Sequence, residues 1–479
     1  MNYKVILHTL GLVLNIEGAC MALPLICALC YNDTESFKIY LMCMLLCILV
    51  GSLLTLIKPQ NKNIYSKEGF VIAALTWIVI SMFGAIPFTI SGYIPSYIDA
   101  VFETVSGFTT TGASILYDVE VIPNAHLLWR SFTHWIGGMG VLVFLMALVP
   151  HDNGSTMYII RAESPGPSVS KLVPKVKSTA KILYLIYIGL TITQITIMLL
   201  GGTSLFDSVT YTFGTAGTGG FGIKNSSVGD YSPFIQNVIT VFMILFGIDF
   251  SLYYLLLTRK IRSLKKSDEF KAYILIIVIS AIVISLNTSH MFADYKTSLR
   301  HSFFQVASIM TTTGYSTTDF DLWPSLSKTI LVTLMFVGAC AGSTGGGIKV
   351  SRILILLKSI RKEIKIAAHP KSTHKIAMNG KTIDNETVRT VCVYLAVYVM
   401  IFVVSILIIS LDNFDSTTNF TAVAATINNI GPGLSLVGPT RNFAEFSILS
   451  KIVLSLDMLI GRLEIFPILM LFSPNTWRR

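Results

Sequence analysis

The chain has 479 residues, of which 53% are hydrophobic and only 13% are charged. Soluble domains carry about 25% charged residues, so this composition excludes a soluble protein and requires that most of the surface contact membrane lipid. The formal net charge of +10 does not indicate nucleic-acid binding, because the basic residues lie in short connections between long apolar segments. Lys and Arg in such connections mark the cytoplasmic side of a membrane protein.

Ten apolar segments are predicted to cross the bilayer, for which about 20 residues are needed. In chain order they run near 5–30, 39–57, 70–92, 124–149, 180–201, 234–257, 272–290, 326–357, 390–411 and 447–472. The first is predicted to be a retained helix rather than a signal peptide, because Glu17 interrupts it and no cleavage site follows. The seven cysteines lack metal-ligand spacing, which predicts free thiols.

The connections between these segments differ in charge on the two sides of the membrane. With the N-terminus inside, the connections 58–69, 151–180, 258–271 and 352–389 share one side and are rich in Lys and Arg. The opposite connections carry mainly acids, among them Asp118, Glu120 and Asp230. This asymmetry predicts an all-α, multi-pass membrane protein with its basic connections in the cytoplasm.

Four shorter apolar segments are too short to cross the bilayer, and they share a pattern. They are Phe102 to Gly112, Phe206 to Gly220, Phe303 to Gly314 and Phe420 to Gly431. Each begins Phe-x-x-Val and ends in glycine, and the first and third both end T-T-T-G. The unit of helix, re-entrant pore helix and helix therefore occurs four times, which predicts a pseudo-fourfold arrangement around a central pore. The predicted divisions are two N-terminal helices in 1–60 and repeats in 61–178, 179–270, 271–385 and 386–479.

The chemistry of such a segment suits a cation. A short helix that dips into the membrane points its partially negative C-terminal end towards the bilayer centre, and a following glycine permits the φ values that turn carbonyl oxygens towards one axis. Four such strands can replace the hydration shell of a monovalent cation. The predicted cation-binding residues are Thr110, Thr111, Gly112, Gly219, Gly220, Thr312, Thr313, Gly314, Asn429, Ile430 and Gly431.

Two alternatives remain open for these glycines. They could serve only close helix packing, as small residues do in membrane transporters, although four copies at matching positions favour a pore. In the second segment, Gly217, Gly219 and Gly220 could each supply the final glycine.

The chain resembles the Trk/Ktr/HKT superfamily of potassium transporters, and within it the TrkH-type membrane subunit of bacterial Trk systems. The four segments carry the first set of motifs: T-T-T-G at 109–112, T-G-G-F at 218–221, T-T-T-G-Y at 311–315 and N-I-G-P-G at 429–433. Three further motifs are W-R-S-F-T-H-W-I-G-G-M-G at 129–140, G-S-T-G-G-G-I-K at 342–349 and G-R-L-E-I-F at 461–466. Together they cover about residues 60–475.

The resemblance implies one filter glycine in each repeat, namely Gly112, Gly220, Gly314 and Gly431. It implies K⁺ as the transported ion, the bacterial inner membrane as the location, and no organic cofactor in this chain. It also implies a homodimer and a cytoplasmic nucleotide-binding regulatory subunit of the TrkA type. The basic connections 258–271 and 352–375 are the expected docking surfaces for that subunit.

A glycine-rich run at 342–347 interrupts the eighth apolar segment. It lacks the phosphate-binding pattern G-x-x-x-x-G-K-[ST], and each glycine in a helix costs about 1 kcal/mol relative to alanine, so the helix is predicted to unwind there. The resemblance implies a loop that opens or blocks the pathway, formed by Gly345, Gly346 and Gly347 with Lys349 on its cytoplasmic side. A passive break in the helix is the alternative.

Arg462 is the most informative charge in the apolar segments. An ionisable residue in a membrane span costs about 2.5–3.5 kcal/mol and is therefore a functional hypothesis. The resemblance places Arg462 in the pore below the filter, as part of the gate. The alternative is a structural ion pair with Asp457, whereas Glu464 is predicted to point elsewhere on the helix. Asp249, Glu17 and His134 are predicted to be structural.

The sequence therefore predicts channel-like potassium uptake, gated by an intramembrane loop and Arg462. The alternative is a proton- or sodium-coupled cation symporter, for which inverted repeats and paired carboxylates at depth are expected. Four repeats of one orientation favour the channel-like mechanism. An enzyme is not indicated, because no Ser/His/Asp set and no H-E-x-x-H motif occurs.

Overall fold

The computed structural model describes residues 1–59, 64–140, 176–259, 266–370 and 374–477. Within these ranges the chain is mainly helical, and one antiparallel hairpin is formed by β1 (Ala377–Met378) and β2 (Lys381–Thr382). Most of the predicted connection 151–180 and part of 258–271 lie outside the described residues.

Three helices precede the first repeat: α1 (Tyr3–Cys20), α2 (Ala22–Cys30) and α3 (Thr34–Thr55). The first predicted span is thus divided at Met21. Helices α1 and α3 pack so closely that a Cβ atom added to Gly11 would lie 2.7 Å from the carbonyl oxygen of Gly51. Small residues allow this close approach of helix backbones in membranes.

The helices of the four predicted repeats follow in chain order. Repeat one contains α4 (Ser66–Ile90), the short helix α5 (Tyr97–Phe108) and α6 (Asn124–Gly138). Repeat two contains α7 (Val176–Leu200), the short helix α8 (Leu205–Gly217), α9 (Pro233–Phe246) and α10 (Phe250–Leu257). Repeat three contains α11 (Asp268–Thr288), the short helix α12 (Tyr295–Met310), α13 (Ser325–Val337) and α14 (Val350–Ala368). Repeat four contains α15 (Asn385–Ile409), the short helix α16 (Ser416–Ile427), α17 (Ile448–Arg462), α18 (Phe466–Phe472) and α19 (Pro474–Trp477).

Breaks divide some of the predicted spans, and the predicted span 124–149 extends outside the described residues after Gly140. In the described ranges, six helices are long and apolar enough to cross a membrane, or seven if α9 and α10, bent by 90°, form one span. The predicted spans 234–257 and 447–472 each contain a break between two helices that was not expected, whereas the break in 326–357 was predicted at 342–347. The predicted connection 352–389 begins with a helix, since α14 continues to Ala368.

The start of each short helix is determined by a side chain. A Ser or Asp at the N-cap accepts a hydrogen bond from the backbone N–H three residues later, which satisfies a donor that the helix itself leaves free. The pairs are Ser96 with Asp99, Ser204 with Asp207, Asp294 with Thr297 and Asp415 with Thr418. The cap is therefore a further element of the fourfold repeat.

The short helices lie at the centre of the molecule and the long helices lie around them. In α5 every residue from Phe102 to Phe108 is buried. By contrast, α15 leaves Met400, Val403 and Leu407 exposed. Only 28% of the residues in its apolar 18-residue stretch are buried. This distribution suits a protein whose outer surface contacts lipid and whose core consists of the four short helices.

Candidate functional site

The chain leaves each short helix with the same backbone conformation. One residue adopts a left-handed φ of 55–59°, and a glycine two residues later has a φ of 79–98°. The left-handed residues are Thr110, Thr218, Thr312 and Asn429, and the glycines are Gly112, Gly220, Gly314 and Gly431. We call residues 110–112, 218–220, 312–314 and 429–431 glycine loops one to four. In this register Gly220 is the equivalent of the other three glycines.

The N–H groups of the four glycine loops are directed back into their own short helices. The residue before each glycine donates to the carbonyl oxygen five residues earlier, with an N···O distance of 2.8 Å in all four loops. The donor–acceptor pairs are Thr111 with Ser106, Gly219 with Gly214, Thr313 with Ser308, and Ile430 with Ala425. Local hydrogen bonds from these backbone N–H groups thus hold each glycine loop against its own short helix.

The carbonyl oxygens of the glycine loops have a different environment. Within the ranges that the structure describes, no hydrogen bond ends on any of the twelve carbonyl oxygens of these loops. Thr110, Thr111, Thr312, Thr313, Asn429 and Ile430 are nevertheless fully buried. Buried carbonyl groups are normally paired, so this set of oxygens is available for another ligand.

The glycine loops form a closed ring. A Cβ atom added to each glycine would meet a carbonyl oxygen of the next loop in the order one, two, three, four, one. The separations are 2.1 Å for Gly112 and Gly219, 1.9 Å for Gly220 and Thr313, 2.0 Å for Gly314 and Ile430, and 2.7 Å for Gly431 and Thr111. All four glycines also line one cavity of about 150 Å³. Neither the φ angles nor the space at these positions suits a side chain.

Acidic side chains lie near the mouth of this cavity. Asn225, which lines it, donates from its side-chain amide to Asp118 at 2.8 Å. That hydrogen bond, together with one from the Glu120 N–H, holds the pKa of Asp118 below its usual value. A neighbouring cavity of about 280 Å³ is lined by Asp230 and Asp319. The first cavity is itself lined by Arg130, Lys224 and Arg441, so charges of both signs lie near the ring.

A buried ion pair supports the first two glycine loops. Glu103 in α5 and Arg130 in α6 are 2.7 Å apart and almost fully buried. Glu103 also accepts from the N–H of Ile115 at 3.0 Å, and the Arg130 guanidinium lies 4.1 Å from the centre of the Phe221 ring. This pair was not predicted from the sequence, although Arg130 is part of the W-R-S-F-T-H-W motif.

His134 joins the same two loops. Its Nδ1 is 2.7 Å from the Gly107 carbonyl oxygen, and its Nε2 accepts from the Phe221 N–H at 3.2 Å. The hydrogen-bond network therefore assigns the imidazole proton to Nδ1. The side chain is fully buried, which agrees with the structural role predicted for it.

Residues 338–349 form a non-helical segment between α13 and α14, longer than the break predicted at 342–347. This segment 338–349 lies against the C-terminal ends of the short helices α12 and α16. The Gly346 N–H donates to the Thr312 hydroxyl at 2.6 Å. A Cβ atom would lie 2.5 Å from the Asn428 carbonyl oxygen at Gly346, and 2.9 Å from that of Thr311 at Gly345. Glycine is therefore needed for this contact.

The break between α9 and α10 receives segment 338–349. The Cys340 N–H donates to the Gly247 carbonyl oxygen at 3.1 Å, and the Phe250 N–H donates to the Gly342 carbonyl oxygen at 3.0 Å. Two interrupted helices thus satisfy each other's backbone groups, as membrane depth requires. Asp249 accepts from the Ser251 N–H at 2.8 Å and caps α10, in agreement with its predicted structural role.

Arg462 fastens segment 338–349 to α6. Its guanidinium donates to the carbonyl oxygens of Thr344 at 2.8 Å and Gly138 at 2.7 Å. The alternative ion pair with Asp457 does not occur among the described residues, and Asp457 accepts from the Ser405 hydroxyl at 2.8 Å instead.

Three further charged residues have partners or surroundings that the sequence did not reveal. Glu464, which was predicted to point elsewhere than Arg462, pairs with Arg352. Lys349 is buried and donates to the Gly345 carbonyl oxygen. Glu17 is also buried, but neither of its carboxylate oxygens has a hydrogen-bond partner in the described ranges. Glu17 is therefore not the hydrogen-bonded structural group that was predicted.

Comparisons with known proteins give a consistent family. The family model TrkH, described as a cation transport protein, matches residues 35–479. The Trk system potassium uptake protein TrkH of Salmonella typhimurium strain LT2 is 35% identical, and that of Escherichia coli strain K12 is 34% identical, each over 100% of both chains. The crystal structure of the potassium transporter TrkH from Vibrio parahaemolyticus matches with a TM-score of 0.89 and 32% identity, covering 100% of both chains. This chain therefore belongs to the TrkH family of cation transport proteins.

Proposed function

We propose that this protein takes up potassium by conducting it through the ring of four glycine loops. The observation that carries the proposal is the set of twelve loop carbonyl oxygens, none of which receives a hydrogen bond within the described ranges. A ring of carbonyl oxygens can replace the hydration shell of a monovalent cation at little electrostatic cost. The short helices add to this effect, because the negative ends of their dipoles face the ring.

Potassium is the ion that the relatives favour. The full-length relatives are named as potassium uptake proteins, and every loop of this chain retains its glycine. Loops one and three have the same Thr-Thr-Gly sequence, whereas loop two has Thr-Gly-Gly and loop four has Asn-Ile-Gly. The proposed filter is therefore pseudo-fourfold, and its ion sites differ in their side-chain oxygens.

Segment 338–349 is the proposed gate of this pathway. It lies against loops three and four through Gly346, and Arg462 holds it to α6. The Arg462 guanidinium also places a positive charge beside the ion pathway, which opposes the passage of a cation. Conduction then requires that these contacts open.

The location and the partners complete the proposal. The long apolar helices and the Trk relatives support a multi-pass protein of the bacterial inner membrane. A homodimer and a cytoplasmic nucleotide-binding subunit of the TrkA type are the proposed partners. The docking surface for that subunit would include α14, on which Arg361 and Lys365 are exposed and Lys358 and Lys362 are half-buried.

Reconstituted protein in liposomes tests the mechanism. With a potassium gradient across the membrane, we expect a current that reverses at the potassium equilibrium potential and does not shift when a pH or sodium gradient is added. A reversal potential that moves with either gradient would instead establish a coupled symporter. Liposomes without protein provide the leak, and equal currents in sodium and potassium would refute a potassium filter.

A further inference from the structure

Glu269 connects the two ends of segment 338–349. It lies in the first turn of α11 and is buried. Its Oε1 atom accepts from the Ala341 N–H at 2.7 Å and from the Ser351 N–H at 3.0 Å. One carboxylate oxygen thus joins the beginning of the segment to the first turn of the helix that follows it.

The second of these hydrogen bonds supplies a cap that α14 lacks. The N-cap residue of α14 is Lys349, with a φ of 80° and no capping bond from its side chain. The first N–H groups of a helix need acceptors, and a negative charge is favourable beside them because of the helix dipole. Glu269 provides both from a different helix, so the position of α14 and that of the segment depend on α11.

The neighbouring acid makes a separate connection. Asp268 accepts from Lys358 in α14 at 2.8 Å and from the Asn379 N–H, in the turn between β1 and β2, at 3.2 Å. Of these two adjacent carboxylates, Glu269 therefore contacts the segment and Asp268 contacts the elements beyond it. This difference makes Asp268 a matched control for Glu269.

We propose that Glu269 is a positioning residue that holds segment 338–349 in its closed arrangement. The inference rests on the proposed function of that segment as a gate. The centre of the segment is held by Thr312 and Arg462, and Glu269 holds its ends. Removing the carboxylate frees the Ala341 N–H and the first turn of α14, so the segment leaves its place more often.

Cys340, which precedes Ala341, offers a direct measurement. Its side chain is a free thiol with 1% exposure. Replacing the other cysteines in the full chain leaves it as the single thiol; they are Cys20, Cys27, Cys30, Cys43, Cys47 and Cys392. The rate at which a charged, membrane-impermeant maleimide labels Cys340 in liposomes then reports how often the segment opens, independently of ion flux.

In this background we expect Glu269→Ala to raise the labelling rate about fivefold, the effect of losing one helix cap. Glu269→Gln should label nearly as slowly as the background, because its amide oxygen still accepts both N–H groups. Asp268→Asn should leave the rate unchanged. Slow labelling of a folded Glu269→Ala protein, or equally fast labelling of Asp268→Asn, would overturn the proposal.

Two further measurements keep the test decisive. If Glu269→Ala does not fold, Glu269→Asp keeps the charge but is shorter by one methylene and cannot reach both N–H groups, so it too should label faster; a rate equal to the background would refute the role. Potassium flux is measured in the same liposomes and should rise with labelling. Faster labelling with unchanged flux would refute the gate in the proposed function while leaving the positioning role of Glu269 intact.

Discussion

Replacing Gly220 with alanine tests the ring of glycine loops most directly. The residue has a φ of 79°, a conformation that costs an L-residue about 1–2 kcal/mol. Its new Cβ atom would lie 1.9 Å from the Thr313 carbonyl oxygen, and a separation of 3.0 Å requires a movement of about 1.1 Å. A binding site tolerates displacements of only about 0.5 Å. Because Thr313 is a proposed ligand of the ion, we expect potassium-over-sodium selectivity to fall about tenfold or more, which corresponds to about 1.4 kcal/mol.

Potassium and sodium fluxes into liposomes provide the assay, and Gly92→Ala provides the control. Gly92 has a similar φ of 77°, but no atom lies within 4 Å of its added Cβ, so it should cost stability without changing selectivity. Gly431→Ala should have a smaller effect than Gly220→Ala, since its contact is 2.7 Å. Wild-type selectivity in a folded Gly220→Ala protein, or an equal loss in Gly92→Ala, would refute the reasoning.

The other predictions concern the gate, the support of the ring and one helix cap. Arg462→Lys keeps the charge but loses the planar guanidinium that donates to several carbonyl groups. Potassium flux without a regulatory subunit should therefore rise. An unchanged flux would show that Arg462 does not hold segment 338–349 closed. Glu103→Gln removes one member of a buried ion pair and should lower the free energy of unfolding by about 3–5 kcal/mol. Lys328→Ala removes one member of a partly exposed pair and should lower it by about 0–1 kcal/mol. Thermal unfolding in detergent compares the two variants, and equal losses of stability would contradict the prediction. The Thr418 hydroxyl donates to Asp415 and holds its pKa below the usual value, so the cap is complete above that value and is lost only as the pH falls through the lowered pKa. Asp415→Ala should therefore cost about 1 kcal/mol, equally at about pH 6 and about pH 8, and a cost that disappears at pH 6 would show that the pKa of Asp415 is raised rather than lowered.

The sequence predicted the glycines of the candidate site better than the register of their loops. Phe-x-x-Val and the final glycine locate each loop, because glycine alone tolerates both the φ and the contact found at these positions. Thr218 was missed, since Gly217, Gly219 and Gly220 follow one another so closely that composition does not distinguish them. Its left-handed φ of 56°, equal to that of Thr110 within one degree, settles the alignment.

The breaks in the long helices were harder to predict for a physical reason. Hydropathy measures only whether a segment is apolar. Helices α9 and α10, which lie on the two sides of a 90° bend, are both apolar. The break exists because the Gly247 carbonyl oxygen and the Phe250 N–H find partners in segment 338–349. Those partners lie almost 100 residues away in sequence, so no local pattern could reveal them.

Composition and periodicity by themselves determined that this chain is an all-α membrane protein with four glycine-ended repeats, since both properties depend on local residue types and on the solvent that surrounds them. Its membership in the TrkH family follows from its motifs and is confirmed by the comparisons. Only the tertiary structure decided which groups meet: the order in which the loops close a ring, the partners of Arg462, and the position of Glu269 between the two ends of segment 338–349. These contacts join residues from different repeats, and their hydrogen bonds depend on distances that the chain acquires only when all four repeats have packed together.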